Sequence, residues 1–67
     1  MTYYQIGTSE PHGVVGSRAA RSLDLNEALE ECRNRSTSRY VKEAWIRSVE
    51  DGKMGDVIAT FVDGERQ

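Results

Sequence analysis

Hydrophobic and polar positions alternate in two runs near the end of the chain, Tyr40–Glu50 and Asp56–Val62. Alternation of period two, rich in β-branched and aromatic residues, predicts strands with one face toward a core. Asp51-Gly52 lies between the runs and is a strong hairpin signal. With Asp51 and Gly52 as the two turn residues, Glu50 faces Lys53 and the register follows. Trp45 then pairs with Ile58, Arg47 with Asp56, Ile46 with Val57 and Ala44 with Ala59. Ala44, Ile46, Val57, Ala59 and Phe61 share one face. Val41, Glu43, Trp45, Arg47, Val49, Met54, Asp56, Ile58, Thr60 and Val62 share the other. A competing pattern overlaps the first run: Tyr40, Val41, Ala44, Trp45 and Val49 also fit a helical stripe that Ser38 could cap. The density of β-branched and aromatic residues and the turn that follows favour strand.

Upstream the spacing changes to that of a helix. Leu25, Ala28, Leu29 and Cys32 fall at i, i+3, i+4 and i+7, one apolar stripe. Asp24 is a good N-cap, and Glu27 three residues later makes a capping-box-like pair. Acids fill the first turns and arginines the last, which complements the macrodipole at both ends. The stripe stops after Cys32, and Ser36-Thr37-Ser38 supplies loop chemistry. The pattern predicts about three turns, from Asp24 or Leu25 to Arg35. Before the helix, Thr2–Thr8 reads as a strand rich in Tyr and Ile, followed by a turn over Ser9–Gly13. Val14–Arg21 is a weaker strand, in which Gly16 and the alanines point to an edge position or a bulge.

The order β-β-α-β-β predicts an α+β domain: a four-stranded, mostly antiparallel sheet with one helix packed on one face. A single helix buries its stripe on one sheet face, and nothing remains in the chain to cover the other. Trp45 and Ile58, rimmed by Arg47 and Asp56, therefore form a candidate partner-binding patch. Trp is enriched at the centres of protein interfaces. The opposing case is a one-residue slip, which would turn every side chain over and put Trp45 in the core.

Length changes the picture in one respect. The chain has 67 residues, one small domain, and a core of that size rarely supplies more than about 3–5 kcal/mol. Cys32 is the sole cysteine and His12 the sole histidine, so neither an intrachain disulfide nor a Cys/His metal site offers support. A homodimer could, with the two open faces covering each other. No cofactor is implied. The amino terminus has no basic region followed by an apolar run, which argues against a signal peptide. No apolar stretch approaches the roughly 20 residues that span a bilayer. A cytoplasmic, reducing setting and no membrane partner are expected, and Asn34-Arg35-Ser36 would then be an inert glycosylation sequon.

Nine bases against eleven acids give a net charge of −2, so there is no overall pull toward nucleic acid. Arg33, Arg35 and Arg39 form the one basic cluster. Arg18 and Arg21 would add to it if the second strand passes nearby, making a possible contact for phosphates or an acidic partner. The alternative is helix-end complementarity and a solvated loop. The late acids Glu50, Asp51, Asp56, Asp63 and Glu65 could form a negative edge or simply serve turns. Cys32 on the apolar stripe reads as a buried thiol, and His12 has no acid, nucleophile or ligand partner. Gly13-Val14-Val15-Gly16 has the spacing of a backbone-clamping loop but joins two strands. Tyr3 and Tyr4 alternate to opposite faces, so at most some of Tyr3, Tyr4 and Tyr40 can share an RNA-stacking platform.

Tyr3-Tyr4-Gln5-Ile6, the Leu25–Cys32 stripe and Trp45-Ile46-Arg47 leading into Asp51-Gly52 lie in a layout that resembles small phage-encoded proteins, notably anti-CRISPR proteins built from a short sheet and one helix. The resemblance covers most of the chain in element order and size, and no residue motif carries it. It implies a stoichiometric inhibitor that blocks a host nucleic-acid-processing complex by surface contact. The expected function is a non-enzymatic protein-interaction module of that kind. The alternatives are a small nucleic-acid-binding domain using Arg18, Arg21, Arg33, Arg35 and Arg39, and a homodimeric accessory protein.

Overall fold

The hairpin at Asp51-Gly52 organises the sheet. The computed structural model describes all residues from 1 to 67. It contains β1 (Thr2–Ser9), β2 (Val15–Ala19), α1 (Leu25–Ser36), β3 (Glu43–Glu50), β4 (Lys53–Val62) and β5 (Glu65–Arg66). The strands form one antiparallel sheet in the order β2-β1-β3-β4-β5. The β-β-α-β-β order holds, but the sheet has five strands and not four. The extra strand follows a second Asp-Gly turn. Asp51 and Gly52 have φ of 49° and 81°, and Asp63 and Gly64 have 51° and 81°. Positive φ at both central residues matches the right-handed strand twist, and the Asp-Gly pair tolerates it best. Residues 38–49 do not form a helix.

β3 and β4 begin in the expected register, with Glu50 opposite Lys53 and Val49 opposite Met54. Two bulges then put extra residues into β4. Arg47 pairs with Val57 and not Asp56, and Trp45 pairs with Thr60 and not Ile58. Both expected pairings are thus corrected. One extra residue turns a strand over, and two restore it. Only the stretch between the bulges is therefore inverted. Val57, expected against the helix, is 43% exposed, and Ile58 packs against the core. Beyond the second bulge Ala59 and Phe61 return to the helix side. Gly55 sits at the first bulge, where a Cβ would lie 2.9 Å from Ser48 Oγ.

The core lies between α1 and one sheet face. Ile6, Ala28, Cys32, Ala44, Ile46, Ala59 and Phe61 form it, with Leu25, Leu29 and Tyr4 at its margin. Alanines at 28, 44 and 59 let the helix approach the sheet closely, and Phe61 and Ile46 fill the remaining volume. Asp24 caps the helix: its Oδ1 accepts the Asn26 N–H at 2.9 Å. Glu27 does not close the capping box directly. Ser22 Oγ donates to Glu27 Oε1 at 2.9 Å and accepts the Asp24 N–H at 3.0 Å, relaying the link. At the other end, buried Ser36 donates to the Arg33 carbonyl at 2.6 Å and accepts the Gly64 N–H at 2.8 Å. That hydroxyl ties the last helical turn to the β4–β5 turn.

β2 is an edge strand with an unbroken register against β1. Of the two explanations for its composition, edge position is the one that holds. The bulge-marking glycine is Gly55.

Candidate functional site: the uncovered sheet face

β1 and β3 pair without interruption, so their alternation decides what the uncovered face presents. Ile6 pairs with Ile46 toward the helix. Tyr3, Gln5 and Gly7 then pair with Val49, Arg47 and Trp45 on the opposite side. Trp45 therefore stands on the face that α1 leaves open, and its indole lies across Gly7. A Cβ at Gly7 would overlap the ring, reaching within 2.7 Å of Cζ2. Glycine makes a flat trough in β1, and the indole settles into it half-buried. The neighbouring strand gives the ring a seat on backbone.

Around the indole, Glu43, Arg47, Val57 and Thr60 line a shallow depression with Trp45. Val57 and Val62 add exposed apolar surface at 43% and 37%. Val49 is buried outside the main core, flanked in the sheet by Tyr3 and Met54. Arg47 reaches back and its Nη1 donates to the Gly55 carbonyl at 3.3 Å. Asp56 is exposed within the bulged stretch and makes no ion pair with Arg47; the chain's ion pairs are Met1–Asp51 and Glu31–Arg35. Of the four residues expected to form the patch, Trp45 and Arg47 share it. Ile58 belongs to the core side. Val57 takes its place, and Gly55 was the signal for that exchange, since a glycine inside a strand pattern marks a bulge.

The arginines do not form one cluster. Arg18, Arg21 and Arg35 line a groove between β2 and α1 together with Glu27, Glu30, Glu31 and Asn34. Glu31 accepts the Arg21 backbone N–H at 2.9 Å and Arg35 Nε at 3.3 Å. Three carboxylates among three guanidiniums leave the groove close to neutral. Arg33 lies over the Phe61 ring at 5.7 Å, and Arg39 over Tyr40 at 5.0 Å, each on a different part of the surface. The acids are also dispersed. Asp51 and Asp63 occupy turns, and Asp51 accepts from the N-terminal ammonium at 2.8 Å.

Burial, and then the Glu31 carboxylate, push the Cys32 thiol up to about 11 from 9.0. It stays protonated at neutral pH and is a packing group. His12 is exposed in the β1–β2 turn. Tyr3 is on the uncovered face, Tyr4 packs against the core and Tyr40 is on the surface, so the tyrosines do not share a platform.

No family model matches this chain, and neither a curated protein nor a solved structure matches it. No helix is long and apolar enough to cross a membrane.

Proposed function

We propose that the chain is a non-enzymatic interaction module that docks a partner protein on its uncovered sheet face. The single observation that carries this reading is the seat of Trp45: a rigid, half-buried indole on the side the helix leaves open, with exposed Val57 and Val62 beside it. An aromatic anchor ringed by polar groups matches the anatomy of interface centres. Glu43, Arg47 and Thr60 would form the polar surround. The resemblance in element order and size to anti-CRISPR-type proteins makes a host nucleic-acid-processing complex the partner class we favour, with the chain acting as a stoichiometric inhibitor. The division of the arginines into a near-neutral groove and two isolated side chains weighs against nucleic acid as the ligand.

The test is capture of partners from a lysate of the cells that carry the gene, using wild type and Trp45→Asp. A protein retained by wild type and lost by the variant supports the reading. Identical partner lists would count against it.

A further inference from the structure

The sheet has two edges, and they differ in kind. On one side β4 forms most of the edge, guarded by Lys53, Asp56 and two bulges, and the charged two-residue β5 covers only Phe61 and Val62. On the other, β2 is Val15-Gly16-Ser17-Arg18-Ala19, exposed along its whole length. The Ala20 N–H donates to the Tyr4 carbonyl at 2.8 Å and the Glu10 N–H to the Val14 carbonyl at 2.8 Å. Antiparallel pairing alternates, so the even-numbered residues of β2 turn their backbone groups toward β1. Val15, Ser17 and Ala19 therefore direct theirs off the sheet. Arg18 is the strand's one guard against edge pairing: there is no proline, no lysine and no bulge.

We propose that this edge pairs with the same edge of a second copy, giving a two-fold dimer with one continuous sheet and Ser17 on the axis. Val15 would pair with Ala19 of the second copy and Ser17 with its own equivalent, each pair exchanging both backbone bonds. Full overlap of Val15–Ala19 favours this register, and the charge pattern agrees with it. Arg18, the one charged residue in β2, then stands opposite Gly16 of the second copy. Sliding the pairing two residues toward the carboxyl end would set Arg18 against itself, and like charges directly opposite destabilise a sheet. Arg18 also shares its groove with Glu27, Glu30 and Glu31 of its own chain, which offsets its charge. Such a contact closes at two copies and does not propagate. A small core gives the pairing a purpose, since domains of this size often gain stability by association. The edge borders the Trp45 seat, since Ser17 pairs with Gly7, so the dimer would set two docking faces side by side.

Sedimentation equilibrium of wild type, Ser17→Pro, Gly16→Lys and Gly16→Glu tests this. Wild type is expected to dimerise. Ser17→Pro removes an N–H that a single chain leaves in solvent, a position where strands tolerate proline, and should be monomeric with an unchanged circular dichroism spectrum. Gly16→Lys should weaken the dimer about tenfold and Gly16→Glu tighten it about tenfold, through the residue facing Arg18. If Ser17→Pro misfolds, the Gly16 pair decides alone. A Cβ there meets only Thr8 Oγ1 at 3.9 Å, so both variants should fold. A wild type that stays monomeric at millimolar concentration overturns the proposal. So do Gly16 variants that leave the dimer constant unchanged or move it in the same direction.

Discussion

The Trp45 indole rests on the backbone of Gly7, on the face of the sheet opposite the helix. Gly7 is buried by this contact although it lies outside the core. The pair converts a strand-weakening glycine into a socket, and it holds the ring in one orientation before any partner arrives. An anchor already fixed loses less side-chain entropy on binding.

Gly7→Ala should dislodge the ring. The added methyl overlaps the indole, whose far end can swing away, so the cost is that of modest overpacking, about 1–3 kcal/mol. Trp45 is the only tryptophan, so its fluorescence reports the change directly. The emission should shift to longer wavelength, and urea unfolding should show the loss of stability.

The two Asp-Gly turns permit an internal comparison. Gly52 and Gly64 share φ of 81°, and an L-residue there costs about 1–2 kcal/mol. Nothing lies within 4 Å of a Cβ at Gly52, whereas one at Gly64 meets Thr37 Cγ2 at 3.1 Å. Gly64→Ala should therefore destabilise the protein more than Gly52→Ala in parallel denaturation curves.

Ser36→Ala removes the hydroxyl that joins α1 to the β4–β5 turn. The Gly64 N–H loses its acceptor in a partly buried setting, which costs about 1 kcal/mol. Amide exchange should accelerate at Gly64 and in β5 ahead of the rest of the sheet.

Cys32 links stability to alkaline pH. Its thiol ionises near 11 in the folded chain and near 9.0 when unfolded. The folded state thus holds the proton longer. Its contribution is complete below pH 9 and is lost as pH rises from about 9 to 11. Unfolding free energies across that window should fall more steeply for wild type than for Cys32→Ala.

Much of this was legible in the residues, and the exceptions have physical causes. The helix was readable because cap, stripe and charge gradient agree at Asp24, Leu25–Cys32 and Arg33–Arg35. The uncovered face followed from counting: one helix cannot cover both sides of a sheet. Trp45 and Arg47 were placed correctly because β3 itself is regular. Ile58 and Val57 were interchanged because the irregularity sits in β4, where Gly55 relaxes the pairing and alternation alone cannot register an inserted residue. β5 escaped notice although Asp63-Gly64 repeats the turn at Asp51-Gly52, since two residues are too few to show a period. Proximity in sequence also misled: Arg33 and Arg35 are neighbours in the chain but point to different parts of the helix surface, Phe61 on one side and the β2 groove on the other.

The most direct test of the docking face is titration of a captured partner into isotope-labelled chain, followed by amide and indole chemical shifts. The Trp45 indole N–H and the amides of Tyr3, Gly7, Arg47, Val57 and Thr60 are expected to move together while α1 stays silent. Shifts concentrated along α1, with the Trp45 indole unmoved, would contradict it.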